Sequence, residues 1–226
     1  LFLVPFIPFL VSSSLFFHFI TTKAIAFRTI IEVVFFAWLL LALIEPEHRP
    51  KRSRILYATL AFLAVVGLAD LLGAAPLKSF WSNFERMEGF VTMLHLGALF
   101  LVTSSVFGEE DWKKWWNTSL VASFLMIIYC FLQILGLKTI NQGGVRVDGT
   151  VGNAIYLAVY MLFHVFIALL YMAREWKNKG LRFMYGALIL LQVLIIYYTA
   201  TRGTALGLLG GLFIFALLNV RNAEAP

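Results

Sequence analysis

The chain consists of long apolar runs separated by short breaks that carry charged residues, glycine or proline. Several of these runs reach the length of about 18–25 residues that an α-helix needs to cross the hydrocarbon of a bilayer. Because backbone polar groups must be paired within the chain inside a membrane, such runs predict transmembrane helices. Eight spans are predicted, at residues 1–20, 26–44, 55–75, 88–107, 114–137, 150–173, 182–201 and 203–220.

The composition agrees with this pattern and excludes most other classes of protein. Hydrophobic residues make up 61% of the 226 residues and charged residues only 13%, whereas soluble domains have about 45–50% and about 25%. A water-soluble enzyme, a disordered tail and a secreted disulfide scaffold are all excluded, and the single Cys130 rules out an internal disulfide. We therefore expect an all-α fold, a polytopic transmembrane helical bundle that forms one domain over residues 1–226.

The basic residues of the chain predict its orientation in the membrane. One set of alternate loops holds eleven Lys and Arg residues and the other set holds seven. Because cytoplasmic loops carry the excess of Lys and Arg, both ends of the chain are expected on the cytoplasmic side. The same rule accounts for the net charge of +6, so nucleic acid is not expected as a partner.

The ionisable residues that fall within or beside the spans lie towards the outer side in this orientation. Arg28 and Glu32 occupy positions i and i+4 near the outer end of the second span, and Arg86 precedes the fourth. Charges within membrane spans usually face a protein interior or a watery cavity. The pattern predicts a polar site that opens to the outer face. The alternative is a structural Arg28–Glu32 ion pair together with ordinary interfacial side chains.

Two of the predicted outer turns have the chemistry of an anion site. Residues 142–153 form a glycine-rich turn that carries Arg146 and ends at Asn153, and residues 199–204 form a tight turn that carries Thr201, Arg202 and Thr204. Each turn leads into a helix whose N-terminus presents free N–H groups. Such an N-terminus beside an Arg and hydroxyl groups suits a phosphate or diphosphate. The alternative is that the glycines only shape a turn and the threonines only cap helices.

Other polar and small residues favour structural roles. Gly203, Gly207 and Gly211 form a stripe in the eighth span that predicts the close approach of another helix. His95 and His164 lie in apolar runs and are predicted to be hydrogen-bonded core residues. The sequence contains no metal-binding motif and no nucleophile motif, so neither a metal nor another cofactor is expected.

Four short motifs together resemble the O-antigen ligase and polymerase family of bacterial membrane proteins. They are residues 146–158 (RVDGTVGNAIYLA), residues 201–204 (TRGT), residues 28–32 (RTIIE) and residues 84–89 (FERMEG). The Gly–Asn turn of the family often continues with Pro and a second Asn, whereas here it continues with Ala154 and Ile155. Any role of that second Asn is therefore lost.

The resemblance implies a glycan transfer from a polyprenyl diphosphate carrier at the outer face of the bacterial cytoplasmic membrane. The acceptor is a lipid-linked core sugar, a growing glycan or a protein hydroxyl, and the reaction uses no metal. The family implies that Arg202 contacts the diphosphate. The charge pattern and the two outer turns add further candidate substrate-binding residues, which are Arg146, Arg86, Asn153, Thr201, Thr204, Arg28 and Glu32. It also implies about twelve helices, at about 20 residues each, and a catalytic base in a later loop. We therefore expect that base beyond Pro226 and a longer natural protein.

Two other functions are compatible with the same pattern. A transporter for a small anion such as bicarbonate would use the same outer cations, although transporters usually bind near the bilayer midplane. The sequence indicates neither a midplane charge nor an internal repeat. A non-catalytic scaffold would instead pack through the glycine stripe. Anion flux separates the first alternative from glycan transfer, and silent substitutions of the outer arginines would indicate the second.

Overall fold

The computed structural model describes residues 1–15, 17–83, 86, 88–141 and 144–223, with side chains described up to residue 217. All regular secondary structure within these residues is helical, which confirms the predicted all-α class. The chain divides into two compact units, Leu1–Trp115 and Trp116–Pro226. Each unit is described by itself below.

Eight α-helices occur in the described residues. They are α1 (Thr21–Ile44), α2 (Arg54–Leu72), α3 (Pro76–Trp81), α4 (Phe90–Val106), α5 (Glu109–Ile134), α6 (Ala154–Arg174), α7 (Lys179–Tyr198) and α8 (Arg202–Ala223). In the same part of the chain, α1, α2, α5, α6 and α7 are long and apolar enough to cross a membrane. The apolar helix α4 and the Arg202–Leu217 part of α8 are shorter. These helices support a membrane protein with several crossings.

The first predicted span, residues 1–20, forms no α-helix in its described residues, so the predicted helical form of this segment is wrong. Val4–Phe9 forms a 3₁₀ helix with Pro8 inside it, and described residues from Leu10 to Ile20 form turns and extended backbone. Pro5 and Pro8 lack the N–H group that an α-helix needs at each interior position. The segment still runs alongside α1, because Leu1 packs near Trp38 and Ala42, towards the far end of α1.

Two helices begin five residues earlier than predicted. α1 begins at Thr21 rather than at residue 26, because Thr22 Oγ1 and Lys23 Nζ donate to the carbonyls of His18 and Phe19, at 3.3 and 2.8 Å. Each bond joins a polar side chain of the first helical turn to a backbone carbonyl four residues earlier. α5 begins at Glu109 rather than at residue 114 because three acidic residues occupy its first turn, where the helix dipole favours negative charge.

In the first unit, α4 is the helix that joins the others. It packs against α1 and α2, and the short α3 lies against α2 and α4. Trp38 and Ala42 of α1 and Val102 of α4 form a buried cluster. By contrast, α2 buries only Leu56, so most of its surface is apolar and exposed, as expected for a helix that faces lipid.

In the second unit, α6 has the most extensive buried face. Its buried residues recur at helical spacing from Ala154 to Tyr171, and α6 packs against α7 and α8. Leu120, Ala168, Tyr171 and Tyr185 form the core cluster shared by α5, α6 and α7. This packing positions the glycine-rich turn before α6 and the tight turn between α7 and α8.

The glycine stripe of α8 faces α6. A Cβ atom at Gly211 would overlap the ring of Phe166, and one at Gly207 would lie 3.5 Å from Leu162. No atom lies within 4 Å of a Cβ built at Gly203 or Gly210. The predicted close approach is therefore confirmed for Gly207 and Gly211, and the partner helix is α6.

We expect Gly211→Leu to destabilise the second unit by about 1–3 kcal/mol, because the added side chain would be forced into Phe166. Thermal unfolding of the purified protein in detergent measures the change. Gly210→Leu is the matched control, since it adds the same side chain on the same helix where space is open. Equal melting temperatures for the two variants would contradict this account of the α6–α8 contact.

Candidate functional site

The turn between α7 and α8 is short and tightly bonded. Thr199 is fully buried and its Oγ1 donates to the carbonyl of Ile196 at 2.6 Å. Ala200 has a φ of 50°, a left-handed conformation that reverses the chain direction. Thr201 then precedes Arg202, the first residue of α8. The turn therefore holds Thr201 and Arg202 at the N-terminus of α8.

Arg146 ties the glycine-rich turn before α6 to this α7–α8 turn. Its Nε donates to the carbonyl of Thr199 at 2.8 Å, and its Nη2 donates to Thr201 Oγ1 at 3.2 Å. The backbone N–H of Val147 donates to the carbonyl of Tyr198 at 3.3 Å. Arg146 and Thr201 are thus brought together, although 55 positions separate them in the chain.

A cavity of about 750 Å³ lies beside this junction. Arg146, Thr201 and Arg202 supply charged and hydroxyl groups to its wall, and most of its other lining residues are aliphatic or aromatic. The side chain of Arg202 is exposed and makes no hydrogen bond or ion pair with any described residue. Two guanidinium groups beside a helix N-terminus favour an anion, and the apolar wall favours a hydrocarbon chain. The cavity therefore suits an amphiphile with an anionic head.

The glycine-rich turn is held in place by a buried carboxylate. Asp148 is fully buried; its Oδ1 accepts from Gln133 Nε2 at 2.7 Å and its Oδ2 accepts from the Asn141 N–H at 2.8 Å. Gln133 Oε1 in turn accepts from the Gly149 N–H at 2.8 Å. A buried charge is stable only with such partners, so these bonds fix the path of the chain at Arg146. The roles of Gln133 and Asn141 were not predicted. The amide of Gln133 within the apolar run of α5 is the sequence feature that could have indicated this network.

Two glycines shape the end of the same turn, which was one of the two roles predicted for the glycines. Gly149 and Gly152 have φ values of 58° and 75°, which favour glycine because it lacks a Cβ. Asn153 then caps α6, since its Oδ1 accepts from the N–H groups of Ile155 and Tyr156 at 2.8 and 3.4 Å. The predicted position of Asn153 at the start of the helix is confirmed. Its side-chain oxygen Oδ1 is already used as an acceptor by the helix N–H groups.

Thr201 and Thr204 differ in their surroundings. The hydroxyl of Thr201 is engaged by Arg146 and donates to the carbonyl of Thr199 at 3.3 Å. Thr204 is buried in the first turn of α8 and does not line the cavity. Of the candidates in the second unit, the structure therefore brings together Arg146, Thr201 and Arg202. Asn153 instead caps α6, and Thr204 is buried away from the cavity.

The remaining candidates, Arg28, Glu32 and Arg86, belong to the first unit. Arg28 is buried, donates to Thr92 Oγ1 at 3.1 Å and lies over the ring of Trp81. Arg86 is exposed in the turn between α3 and α4. The neighbouring motif residues Phe84, Glu85 and Met87, like Gln142 and Gly143 of the glycine-rich turn, lie outside the described residues.

The two histidines in apolar helices have different environments. His164 is buried, with its Nε2 2.9 Å from Ser119 Oγ and its Nδ1 2.7 Å from the Tyr160 carbonyl, which confirms a hydrogen-bonded core residue. His95 instead lies with its Nε2 3.1 Å from Glu32 Oε1. Sequence spacing could not reveal this pair, because the two residues are 63 positions apart.

One group in the described part of the chain has the spacing of metal ligands. Donor atoms of Glu45, Glu47 and His48 lie within 4.8 Å of one another on the turn that follows α1. Both glutamates are exposed, and His48 contacts each of them, at 3.0 and 3.6 Å. These contacts account for the grouping, and the set lacks the enclosed four-ligand geometry of a structural metal site.

Comparison of the chain with protein-family models, with curated proteins and with solved structures gives no match.

We expect Asp148→Ala to loosen the glycine-rich turn, because Gln133 and Asn141 would lose a buried acceptor, at a cost of about 1–3 kcal/mol. Limited trypsin digestion in detergent measures this as faster cleavage after Arg146. Val145→Ala is the control, since Val145 is 90% exposed. Unchanged cleavage of the Asp148 variant would contradict the anchoring role of the carboxylate.

Proposed function

We propose that this chain is part of a bacterial membrane enzyme that transfers a glycan from a polyprenyl diphosphate carrier to an acceptor hydroxyl. The acceptor is a lipid-linked core sugar, a growing glycan or a protein hydroxyl. Two lines of argument support the proposal: the resemblance of the motifs to O-antigen ligases and polymerases, and the geometry of the second unit. The observation that carries it is the apolar cavity lined by Arg146, Thr201 and Arg202.

The cavity has complementary features for both parts of such a carrier. A diphosphate carries several negative charges, which the two guanidinium groups and the N–H groups at the start of α8 can neutralise. A polyprenyl chain is purely hydrocarbon, and the lining includes Val193, Leu208 and Leu209. Arg202 is the best placed contact, because its side chain has no hydrogen-bond partner among the described residues, whereas Arg146 is already held by the turn.

The proposed reaction exchanges one glycosidic bond for another. The acceptor oxygen forms a bond to the anomeric carbon of the glycan, and the bond from that carbon to the diphosphate oxygen breaks. The leaving diphosphate takes the electron pair, and Arg202 with Arg146 neutralises the charge that develops on it. The acceptor proton passes to a general base, which the resemblance implies in a segment that follows Pro226.

The proposal includes a topology. We infer eight crossings in this chain, with residues 1–20 traversing beside α1 and with α4 and α8 as the shorter crossings, in a bundle of about twelve helices. The excess of Lys and Arg in alternate loops supports cytoplasmic ends. Arg202 and Arg146 would then lie at the outer face of the cytoplasmic membrane, where the family uses its carrier.

The same cavity also allows the anion-transporter alternative, because the guanidinium groups of Arg146 and Arg202 in its wall would attract a small anion. Chloride or bicarbonate flux in proteoliposomes separates the two functions. A glycan transferase is expected to give no flux above that of empty liposomes.

We expect Arg202→Ala in the complete protein to lower glycan transfer by about 10²–10³-fold or more, because a charge that stabilises the leaving group is removed. Transfer is measured with a purified polyprenyl diphosphate-linked donor in reconstituted membranes. Membrane insertion is expected to be unchanged, since the side chain of Arg202 has no partner among the described residues.

Lys179→Ala is the matched control, because it removes an exposed cation at the opposite end of α7. Arg202→Lys should retain part of the activity, since it keeps the charge but loses the two-pronged geometry of the guanidinium. Wild-type transfer by Arg202→Ala would overturn the assignment of Arg202 to the diphosphate.

A further inference from the structure

The turn between α6 and α7 carries a concentration of positive charge. Residues 174–182 contain four basic residues and one acidic residue, Glu175. The helices on either side are both long and apolar enough to cross a membrane, and a turn between two crossings lies at a bilayer surface. A surface that contains anionic phospholipids attracts such a basic segment.

Two of the four cations lie over aromatic rings. The guanidinium carbon of Arg182 is 4.6 Å from the centroid of the Trp176 ring. That of Arg174 is 5.8 Å from the centroid of the Tyr171 ring. A cation within about 6 Å of a ring face is attracted to it, and a long side chain held in this way has already lost part of its rotamer freedom. Both guanidinium groups are therefore partly oriented before a ligand arrives.

These two guanidinium groups belong to neighbouring helices and lie at the same level. Tyr171 of α6 and Tyr185 of α7 lie side by side, with ring centroids 6.2 Å apart. Arg174 follows Tyr171 by three residues. Arg182 precedes Tyr185 by the same number. Because α6 and α7 are joined by a short turn and pack against each other, both arginines are displaced from the tyrosines by the same distance towards the turn. A phosphate group at the turn can accept hydrogen bonds from both.

Hydrogen bonds fix the turn that joins the two helices. Asn178 Oδ1 accepts from the N–H groups of Gly180 and Leu181, each at 3.1 Å, and so caps α7. The N–H group of Asn178 donates to the carbonyl of Glu175 at 2.9 Å. The ends of α6 and α7 are therefore held in one arrangement, and a ligand that binds there meets a preorganised pair of arginines.

We propose that Arg174 and Arg182 bind the phosphate group of an anionic phospholipid such as phosphatidylglycerol. The phosphate oxygens accept from the two guanidinium groups, and the acyl chains lie along the apolar surface of α6 and α7. Trp176 and Phe183 beside these arginines are 65% and 79% exposed, which is typical of aromatic residues where a membrane meets water. Zwitterionic phosphatidylcholine is a weaker ligand, because the two cations repel its ammonium group.

Photolabelling of the purified protein in phosphatidylcholine nanodiscs tests the proposal. The probe is phosphatidylglycerol with a diazirine near the carboxyl end of one acyl chain, and labelled residues are identified by mass spectrometry. We expect saturable labelling at the α6–α7 turn, which unlabelled phosphatidylglycerol prevents and inorganic phosphate does not. Labelling that rises in proportion to the probe would indicate bulk lipid only, and displacement by inorganic phosphate would indicate a site for the free anion. Either result would overturn the proposal.

Two variants separate a bound phosphate from diffuse attraction. The measurements use about 0.5 M salt, at which the Debye length falls to about 4 Å and attraction over longer distances is screened. Arg182→Ala should raise the probe concentration for half-maximal labelling by about tenfold, the effect of one hydrogen bond between charged groups. Lys179→Ala is the matched control, because it removes a cation of the same turn that lies over no ring in the described residues. It should change that concentration by less than about twofold, and equal effects of the two variants would contradict a site at Arg182.

A third variant keeps the test valid if Arg182→Ala fails to fold. Trp176→Leu keeps every charge of the turn but removes the ring beside Arg182, so it should raise the same concentration by about two- to fivefold. Unchanged labelling of a folded Trp176→Leu protein would overturn the proposal. Glycan transfer is not used as a readout, and the turn lies at the opposite end of α7 from Arg202, so the outcome does not depend on the proposed function.

Discussion

The lack of hydrogen-bond partners in hydrocarbon is the constraint on which the rest of this structure depends. A polar group that leaves water in a membrane must find its partner within the chain. Apolar helices satisfy their own backbone, but the polar side chains inside them need neighbours. Ser123 with Gln192 and Ser119 with His164 are such pairs in the second unit. These bonds specify which helices are neighbours, whereas apolar packing alone would allow several arrangements.

The same constraint explains why the candidate anion site is rigid. Asp148 can be buried only because Gln133 and Asn141 surround its carboxylate, and this network orders the turn that carries Arg146. Arg146 then bonds the α7–α8 turn at Thr199 and Thr201. A chain of contacts thus leads from a buried carboxylate to the exposed guanidinium of Arg202. Preorganised charge of this kind stabilises an anion without reorganisation when the anion arrives.

The two units use polar residues differently. In the second unit, the buried side chains of Asp148 and Gln133 bond each other. The charged groups that line the cavity are those of Arg146 and Arg202. In the first unit, Glu32 opens onto an apolar groove while His95 pairs with only one of its oxygens. A carboxyl group within an apolar helix is costly unless its hydrogen bonds are completed. The polar groups of the second unit meet this requirement more fully than Glu32 does.

The sequence by itself determined the helical class, the approximate helices from residue 21 onwards, and local features such as the cap at Asn153 and the turn glycines Gly149 and Gly152. These features depend on neighbours within a few positions, so local patterns predict them. Only the tertiary structure decided the non-α path of residues 1–15 and 17–20, the partner of the glycine stripe, and the pairings of Glu32 with His95 and of Arg146 with Thr201. Those contacts join residues that packing brings together from distant positions, and a side chain's type and spacing do not specify which distant group it meets.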